Sequence, residues 1–558
     1  MPRRFLVTAA LPYANGKLHV GHVAGAYLPA DIFVRYLRSR GDEVAFICGS
    51  DDHGVPIQLS AEREGVSPPE VVDRYHASQE RDFRGLGIEF DIYGKTMSPR
   101  HIATSQAFFQ RVYDNGYLKK RNTSQLYDPQ AGRFLPDRYV KGTCHHPGCG
   151  NPEALGDQCE KCGRTIDPLK LGDPVSVLTG ARPEVRDTFH WYFELPRFGE
   201  RLRAWIEGHP EWRSQVRQFT LGLLKEGLPE RAMTRDLGWG VPVPLADPDA
   251  GGKVLYVWFD APIGYVSFTA EWCERTTGRA TDYQTWWKDP ETSIVHFIGE
   301  DNTVFHALIW PAMLLAEGSF ELPANVVANC FLNFQFPGKD EEKMSKSRGT
   351  AVWIEDYLRE FEPEALRYYL TSVAPENQRT AYRADEFVGH TNDELVATLG
   401  NFVHRTVTFA HRYFEGKVPA AGDLDPQDRA HLESLRSLPG RVGAEIEGMH
   451  FKAGLETIMA EARGANRYFD SKAPWQTRKT DLGSCGRAIH VCLWTARTLA
   501  TVMAPYLPFA GEKARKMLGL SAGEFVWTRA ADPLVAGSSL GAAEILFKKI
   551  EKAPGEES

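Results

Sequence analysis

Two short segments, more than 300 residues apart, carry the residue types best suited to phosphate chemistry. The first is His19-Val20-Gly21-His22, where an apolar run (Phe5-Leu6-Val7) gives way to a helix-like stretch. Two histidines three apart at a helix start share one face and lie among backbone N–H groups that have no helical acceptor, a natural place for an anion. The second is Lys343-Met344-Ser345-Lys346-Ser347, two lysines and two hydroxyls in a loop-like context. That composition suits a polyphosphate that must be gripped and then released. A third group is Cys144-His145-His146-Pro147-Gly148-Cys149, followed after nine residues by Cys159-Glu160-Lys161-Cys162-Gly163. Four cysteines in two paired turns offer the four thiolates of a closed tetrahedral metal site, and the glycines permit tight knuckle turns. A four-sulfur shell leaves no open position, so the expected role is structural. His145 or His146 could replace one thiolate.

These groups must be held by particular elements. Residues 1–54 read as a βαβ unit. A strand over residues 5–9 turns through 12–16 into a helix ending near Arg38, with Gly41 as its stop and Pro29 as a kink or restart. A second strand, 44–48, runs into Gly49-Ser50-Asp51-Asp52-His53-Gly54. In a parallel sheet, ligands gather at the carboxyl ends of strands, so both polar loops should face one crevice. A helical stretch follows to about residue 117. From 118 to 233 the chain is rich in Gly and Pro, holds the cysteine cluster, and reads as an insertion. Strand-like runs return at 254–259 and 294–298. A loop-rich region carries the lysine motif to about 380, and the pattern is then helical to about 550, implying a bundle. The last residues, 552–558, are polar.

At 558 residues the chain calls for several domains. Its 42% hydrophobic and 25% charged content is that of an ordinary globular protein. No run reaches the ~18 to 20 apolar residues of a membrane span, and no signal-peptide pattern opens the chain, so a cytoplasmic protein without membrane contact is expected. A net charge of −8 does not advertise nucleic-acid binding, but local basic clusters such as Lys119-Lys120-Arg121 leave it open. Nine cysteines, four within nineteen residues, do not form a secreted disulfide pattern in a chain of this size. Cys48, Cys273, Cys330, Cys485 and Cys492 read as buried thiols.

The histidine and lysine motifs, in this order and separation, resemble the HIGH and KMSKS signatures of class I aminoacyl-tRNA synthetases. Their flanks narrow the resemblance to the methionyl-tRNA synthetase family: Ala10-Leu11-Pro12-Tyr13-Ala14-Asn15-Gly16, the run from Tyr256 through Trp258, Asp260 and Pro262 to Tyr265, and His296-Phe297-Ile298-Gly299-Glu300-Asp301 with His306 and Trp310 beyond. The resemblance covers nearly the whole chain. It implies an α/β fold: a Rossmann-type parallel-sheet catalytic domain (1–117 and 234–325), split by a zinc-knuckle insertion (118–233). A KMSKS-loop, stem-contact region (326–380) follows, then an all-α anticodon-binding bundle (381–550) and a polar tail (551–558).

The resemblance also implies an activity and its residues. Methionine and ATP would give methionyl-adenylate, whose acyl group passes to the 3′-terminal adenosine of tRNA(Met), initiator tRNA included. His19, His22, Lys343, Lys346 and Arg235 would be catalytic. ATP would be held by Asn15, His19, Gly21, His22, Asp301, Lys343 and Lys346, with Mg2+ accompanying it. The methionine pocket would comprise Leu11, Tyr13, Asp51, Trp258, Ala261, Pro262, Tyr265, His306 and Trp310, with Asp51 taking the ammonium and aromatic walls suiting a polarizable thioether. Asn401, Arg405, Pro474 and Trp475 would read the anticodon by edge contacts and stacking. Cys144, Cys149, Cys159 and Cys162 would hold one structural Zn2+.

Three positions depart from the family pattern: Ala397, where some members have Asn; Asn329, where some have His; and Glu300, where Lys is frequent. The chain also lacks the C-terminal dimerising module of some members, which favours a monomer. The insertion is too short for the editing domain that valine, isoleucine and leucine enzymes need. A cysteine-type enzyme would need an open metal position that four thiolates do not leave, and a non-catalytic paralogue would tolerate loss of motif residues that are all present here.

Overall fold

The computed structural model describes residues 2–156, 159, 161, 162, 164, 166–335, 342, 343 and 351–551. The apolar run near the start forms the strand Arg4–Ala9, which lies at the centre of a five-stranded sheet. On one side it pairs with Glu43–Ser50 and then Ile92–Lys95; on the other with Thr292–Gly299 and then Asn325–Asn329. Every pairing is parallel. The order reverses at the central strand, so a crevice opens beside it at the carboxyl ends. The helix Leu28–Arg40 stops at Gly41, whose φ of 92° is left-handed and accessible to glycine without strain.

Pro29 stands in the first turn of that helix, just after a π-helical turn, Val23–Tyr27. The predicted restart is therefore a switch from wide to regular turns. The strand Ile92–Lys95 was not legible in the helical pattern read to residue 117; it is four residues long with a glycine inside. The reading of 254–259 as a strand is also corrected. Only Val254–Leu255 is extended, and Val257 opens the helix Val257–Thr277. Gly49 and Gly94 let that helix lie close on the sheet: a Cβ at either would stand within 2.4 Å of the Phe268 ring.

The insertion is built on a long antiparallel pair. Leu118–Asp128 runs against Glu184–Phe193 in continuous register from Leu118↔Phe193 to Tyr127↔Glu184. The cysteine cluster lies in the excursion between these strands. Beyond the second parallel-sheet segment, Leu332–Gln335 pairs with Glu342–Lys343 and with Thr380–Arg383. The bundle follows, from Asn401–Tyr413 to Pro508–Met517. Its central helix, Leu482–Met503, is buried on nearly all sides from residue 485 onward, as an apolar core helix must be. Helical structure was expected to about 550. Residues 518–550 instead form 3-10 turns and loops that pack back on the bundle, with Val418 donating to the Ser538 carbonyl and Leu540 to that of Gly416. Among the described residues no helix is long and apolar enough to cross a membrane.

Two buried arginines join these parts. The Arg367 guanidinium reaches the Asp31 carboxylate at 2.6 Å and the carbonyls of Tyr506, Pro505 and Leu86. Arg213 donates to the Ala328, Glu376 and Met449 carbonyls and to Asn329 Oδ1, tying insertion, sheet and bundle together. Asn329 in turn donates to the Ala24 carbonyl in the π-helical turn. Asn329 is thus a buried structural linker.

Candidate functional site

A cavity of about 330 Å³ lies at the carboxyl ends of the strands. Its walls come from four strand exits: residues 10–13, Asp51, residues 299–302, and residues 330–332. The helix starting at Val257 adds Trp258, Ala261, Pro262 and Tyr265, and a second π-helical turn, Phe305–Ile309, adds Phe305 and His306. Such wide turns are frequent at functional sites because they push side chains out of the regular helical path.

At one end stand the two motif histidines. The His19 backbone N–H donates to His22 Nδ1 at 3.2 Å, and the Gly21 N–H donates to His19 Nδ1 at 3.1 Å. The rings stack with centroids 3.6 Å apart. Because each Nδ1 accepts a backbone N–H, the proton of each neutral ring sits on Nε2. Gly21 lines the cavity between them. The segment following the lysine motif is fastened to the same place: Val20 donates to the Val352 carbonyl and Ile354 to that of Leu18. On the other flank, Lys343 has its backbone in a strand paired with Asn333. Lys346 and the rest of the lysine motif lie outside the described residues.

Asp51 lies at the other end. It is buried, its N–H donates to the Pro12 carbonyl and its carbonyl accepts from Ala14, so its backbone is fixed. Among the described residues its Oδ1 has no hydrogen-bond partner. Burial, with the nearby Asp260 and Asp52 carboxylates, pushes its carboxyl well above the ordinary range. A buried acceptor without a donor is costly, and Asp51 lies on the cavity wall, where a cationic ligand would offset that cost. Asp260 behaves oppositely. His53 Nδ1 and His101 Nε2 each lie 2.7 Å from it and Ser105 donates at 2.8 Å. Burial alone would raise its pKa, but these partners hold it well below the usual range. Asp52, buried yet receiving bonds from Ser50 and the Met97 N–H, is pushed up to about 6.

Two runs of hydrogen bonds stand in and behind the wall formed by Tyr265 and His306. The Trp310 indole N–H, a donor only, points to His296 Nε2 at 3.2 Å. His296 Nδ1 must then carry the proton and donate to Thr8 Oγ1, 2.6 Å away. Burial pushes the neighbouring Tyr265 phenol well above its ordinary value, Thr8 opposing this in part. Tyr265 donates to His306 Nε2 at 2.9 Å, and His306 Nδ1–H donates to the Asn302 carbonyl at 3.1 Å. The indole thus fixes the proton on His296, and the Asn302 carbonyl fixes those on His306 and Tyr265. Burial holds His306 down to about 4 and His296 well below its ordinary value, so both rings are neutral. Across the cavity, the Trp258 indole donates to the Tyr13 hydroxyl at 2.7 Å.

Of the residues predicted for the methionine pocket, Leu11, Tyr13, Asp51, Trp258, Ala261, Pro262, Tyr265 and His306 line the cavity. Trp310 does not; it is fully buried behind the wall, as the first donor of the run that reaches Thr8. Of the ATP residues, His19, Gly21, His22 and Asp301 line it. Asn15 does not. It lies in the turn that Gln79 clamps through the Tyr13 and Gly16 carbonyls. Arg235 is also outside the lining, its guanidinium 3.9 Å over the Tyr256 ring. Sequence reasoning missed Phe305, Asn302, Phe331 and Cys330. Cys330, read as a buried thiol, is half-buried on the cavity wall. Its position directly after a sheet strand was the available signal.

The cysteine reading can be tested on geometry. The four sulfurs of Cys144, Cys149, Cys159 and Cys162 lie within 4.8 Å of one another. Cys144–Cys162 are 3.9 Å apart and Cys149–Cys159 3.6 Å. Tetrahedral Zn–S bonds of ~2.3 Å require S···S edges of about 3.8 Å, so the set fits such an ion despite the wider first pair. Gly148 and Gly150, at φ 77° and 57°, give the left-handed turns around Cys149. Against the cost of burial, bonds from Asn151 and the Cys162 and Lys161 N–H groups pull the Cys159 thiol down to about 6, favouring thiolate. His145 Nε2 accepts the Asp167 N–H and is occupied there.

In the bundle, Arg405 and Trp475 converge on Phe469. The Arg405 guanidinium is 4.0 Å from that ring, and the Trp475 ring, 42% exposed, stacks on it at 6.0 Å. Asn401 is exposed directly after a third π-helical stretch, His390–Gly400. Pro474 is buried and starts a helix, so it does not face solvent with them.

Residues 5–407 match the family described as tRNA synthetases class I (M), and residues 418–557 match the anticodon binding domain of methionyl tRNA ligase. The chain is 46% identical to the methionine–tRNA ligase of Parabacteroides distasonis, over 98% of this chain and 79% of that one. It is 46% identical to that of Chlorobaculum tepidum over 99% and 80%. The structure is similar to Mycobacterium tuberculosis methionyl-tRNA synthetase in complex with methionyl-adenylate, with a TM-score of 0.80, 25% identity, and coverage of 98% of this chain and 99% of that chain.

Proposed function

The chain belongs to the methionine–tRNA ligase family of class I tRNA synthetases, and we propose how its own residues divide the family's two-step reaction. In the first step a carboxylate oxygen of methionine attacks the α-phosphorus of ATP. The bond to the β-phosphate oxygen breaks, and pyrophosphate leaves. In the second, a ribose hydroxyl of the terminal adenosine of tRNA attacks the acyl carbon, loses its proton, and AMP departs.

Asp51 receives the methionine ammonium; its unpartnered Oδ1 is the observation that carries the reading. An ammonium there supplies the missing donor and offsets the burial of the charge. Tyr13, Trp258, Tyr265 and His306 enclose the thioether, with Leu11, Ala261 and Pro262 as the aliphatic sides. The neutral His306–Tyr265 pair offers polarizable faces and no charge, which suits sulfur and disfavours charged side chains.

His19 and His22 direct Nε2–H toward the transferring phosphate, where charge builds in the transition state. Gly21 permits close approach of the nucleotide, and Asp301 takes the ribose. Lys343 and Lys346 hold the departing pyrophosphate, and the anchoring of both flanks of their segment at the cavity supports this. Asn15 and Arg235 act from the rim, on ATP and on the reacting carboxylate region. Trp310 acts through His296. Mg2+ accompanies ATP and neutralises part of its charge.

Cys144, Cys149, Cys159 and Cys162 hold one zinc ion with a purely structural role. Asn401, Arg405 and Trp475 read the anticodon of tRNA(Met), initiator and elongator alike, and Pro474 sets the helix that presents Trp475. The protein acts as a monomer in the cytoplasm.

The test is charging of a tRNA(Met) transcript by the purified chain. Methionine ester should form on tRNA with a CAU anticodon and fall at least a hundredfold when that anticodon is changed. Equal charging of both transcripts would refute the anticodon part of the reading. Charging with another amino acid would refute the pocket.

A further inference from the structure

The aromatic contacts at the bundle's end do not stop at the pair Phe469–Trp475. Phe469 meets Phe409 edge-on at 6.3 Å, and Phe409 contacts Tyr413 at 4.6 Å, so four rings form one continuous row. Arginines ride along it. Arg405 lies on Phe469; Arg478 and Arg412 lie on Tyr413, with guanidinium carbons 4.5 and 5.4 Å from the ring centre. The spacing produces this. Asn401, Arg405, Phe409 and Arg412-Tyr413 recur every three to four residues on the helix Asn401–Tyr413, and so share one face. Arg478 follows Trp475 by three on the helix Pro474–Thr480, which places the two on one side of that helix.

Arg405 is engaged by the Asp470 carboxylate at 3.1 Å and the Asn466 carbonyl at 3.3 Å. Among the described residues Arg412 and Arg478 have no carboxylate within ion-pair reach. Glu415, the nearest acid in sequence to Arg412, sits with Lys417, and Asp481, the nearest to Arg478, accepts from the Ser484 N–H and hydroxyl. The Nε atoms of Arg405 and Arg478 are both buried without an acceptor. A guanidinium laid face-on against a ring keeps its N–H groups in its own plane, aimed sideways, where they can take phosphate oxygens in pairs.

We propose that Arg412, Tyr413 and Arg478 form a second RNA contact, gripping phosphodiester groups of the anticodon loop beyond the base that stacks on Trp475. This rests on the reading of Arg405 and Trp475 as the anticodon site. The eight residues from Arg405 to Tyr413 span about 12 Å of helix, so the two contacts engage different nucleotides. The partner is recognised here by backbone charge, and the contact adds affinity without reading sequence.

The experiment measures binding of tRNA(Met) transcript to the full chain as salt is varied, for the parent, R412Q, R478Q, the double variant, R478K and W475A. Methionine-dependent ATP–pyrophosphate exchange checks that each variant is folded. Each Arg→Gln change should weaken binding three- to tenfold at low salt and reduce the log–log salt slope by about one. R478K should keep most of the slope. W475A should weaken binding with the slope little changed, because stacking releases no counterions. A double variant with parental affinity and slope, beside a weakened W475A, would overturn the second contact alone. Parental binding by W475A would overturn the anticodon reading and the proposal with it.

Discussion

Replacing Asp51 with Asn separates what the site needs for function from what it needs for stability. The carboxylate is buried, with one oxygen unpartnered and two other carboxylates nearby, and its pKa lies well above the ordinary 3.8. Asn keeps the shape and removes the charge. A charge-assisted contact in a buried site contributes about 3–4 kcal/mol when one partner is deleted. At about 1.4 kcal/mol per decade, kcat/KM for methionine in ATP–pyrophosphate exchange should fall between a hundredfold and a thousandfold.

Stability should move the other way. A carboxyl whose folded pKa is raised binds its proton more tightly in the folded chain than in the unfolded one. Its contribution to stability is fully present below 3.8 and is lost as pH rises through the raised folded value. At neutral pH the ionised group therefore opposes folding, and D51N should raise the melting temperature of the ligand-free protein by roughly 1–3 °C. The same linkage predicts that kcat/KM for the parent rises with pH until Asp51 is ionised in the free enzyme. kcat stays level to lower pH, because the bound ammonium draws the pKa down. Exchange kinetics and thermal melting on the same samples decide it. A D51N variant that activates methionine within threefold of the parent, or that melts lower without ligand, refutes the argument.

Three further outcomes follow from the site. H22N should lower kcat for exchange by about a hundredfold or more with KM for methionine nearly unchanged, since its donor acts on charge that develops in the transition state; an effect confined to KM would contradict that role. T8V leaves the buried His296 Nδ1–H, behind the Tyr265 and His306 wall, without its acceptor. KM for methionine should rise about three- to tenfold with kcat nearly constant, and T8S should restore it; equal behaviour of T8V and T8S would show that the hydroxyl does nothing. C159S should reduce zinc measured by elemental analysis from one ion per chain to well below one, and lower thermal stability, because a structural zinc contributes folding energy; full zinc content in C159S would remove Cys159 from the shell.

Much of the catalytic half was legible because its signals are local. The apolar run before Pro12, the stop at Gly41 and the strand read over 44–48, which extends to Glu43–Ser50, are each set by residues within a few positions of one another. Where the reading failed, distant residues decided. Tyr256-Val257-Trp258-Phe259 has strand-like composition, yet Val257 to Phe259 coil into a helix whose packing depends on Gly49 and Gly94, some 200 residues earlier. Ile92–Lys95 becomes a strand only because Ile47–Ser50 offers an edge. Residues 518–550, read as helical, contain Gly519, Gly523, Pro533, Gly537 and Gly541, and backbone bonds to Gly416 and Val418 fix residues 537–540 outside a helix.

In the site, eight of the nine residues predicted for the methionine pocket line the cavity. The ninth, Trp310, is an aromatic of the right type whose depth no pattern reveals. The run from Trp310 through His296 to Thr8 was invisible in the sequence, since it joins positions 288 residues apart through single atoms. The three π-helical stretches among the described residues, each beside residues predicted to bind ligand, have no composition signal either.

The central claim is that the cavity between Asp51 and the His19–His22 pair activates methionine. The most direct test is ATP–pyrophosphate exchange by the purified, zinc-replete chain with each of the twenty amino acids, without tRNA. The account predicts strong exchange with methionine, at least a hundredfold above any other amino acid. Stronger exchange with a different amino acid, or none with methionine from folded protein, would contradict it.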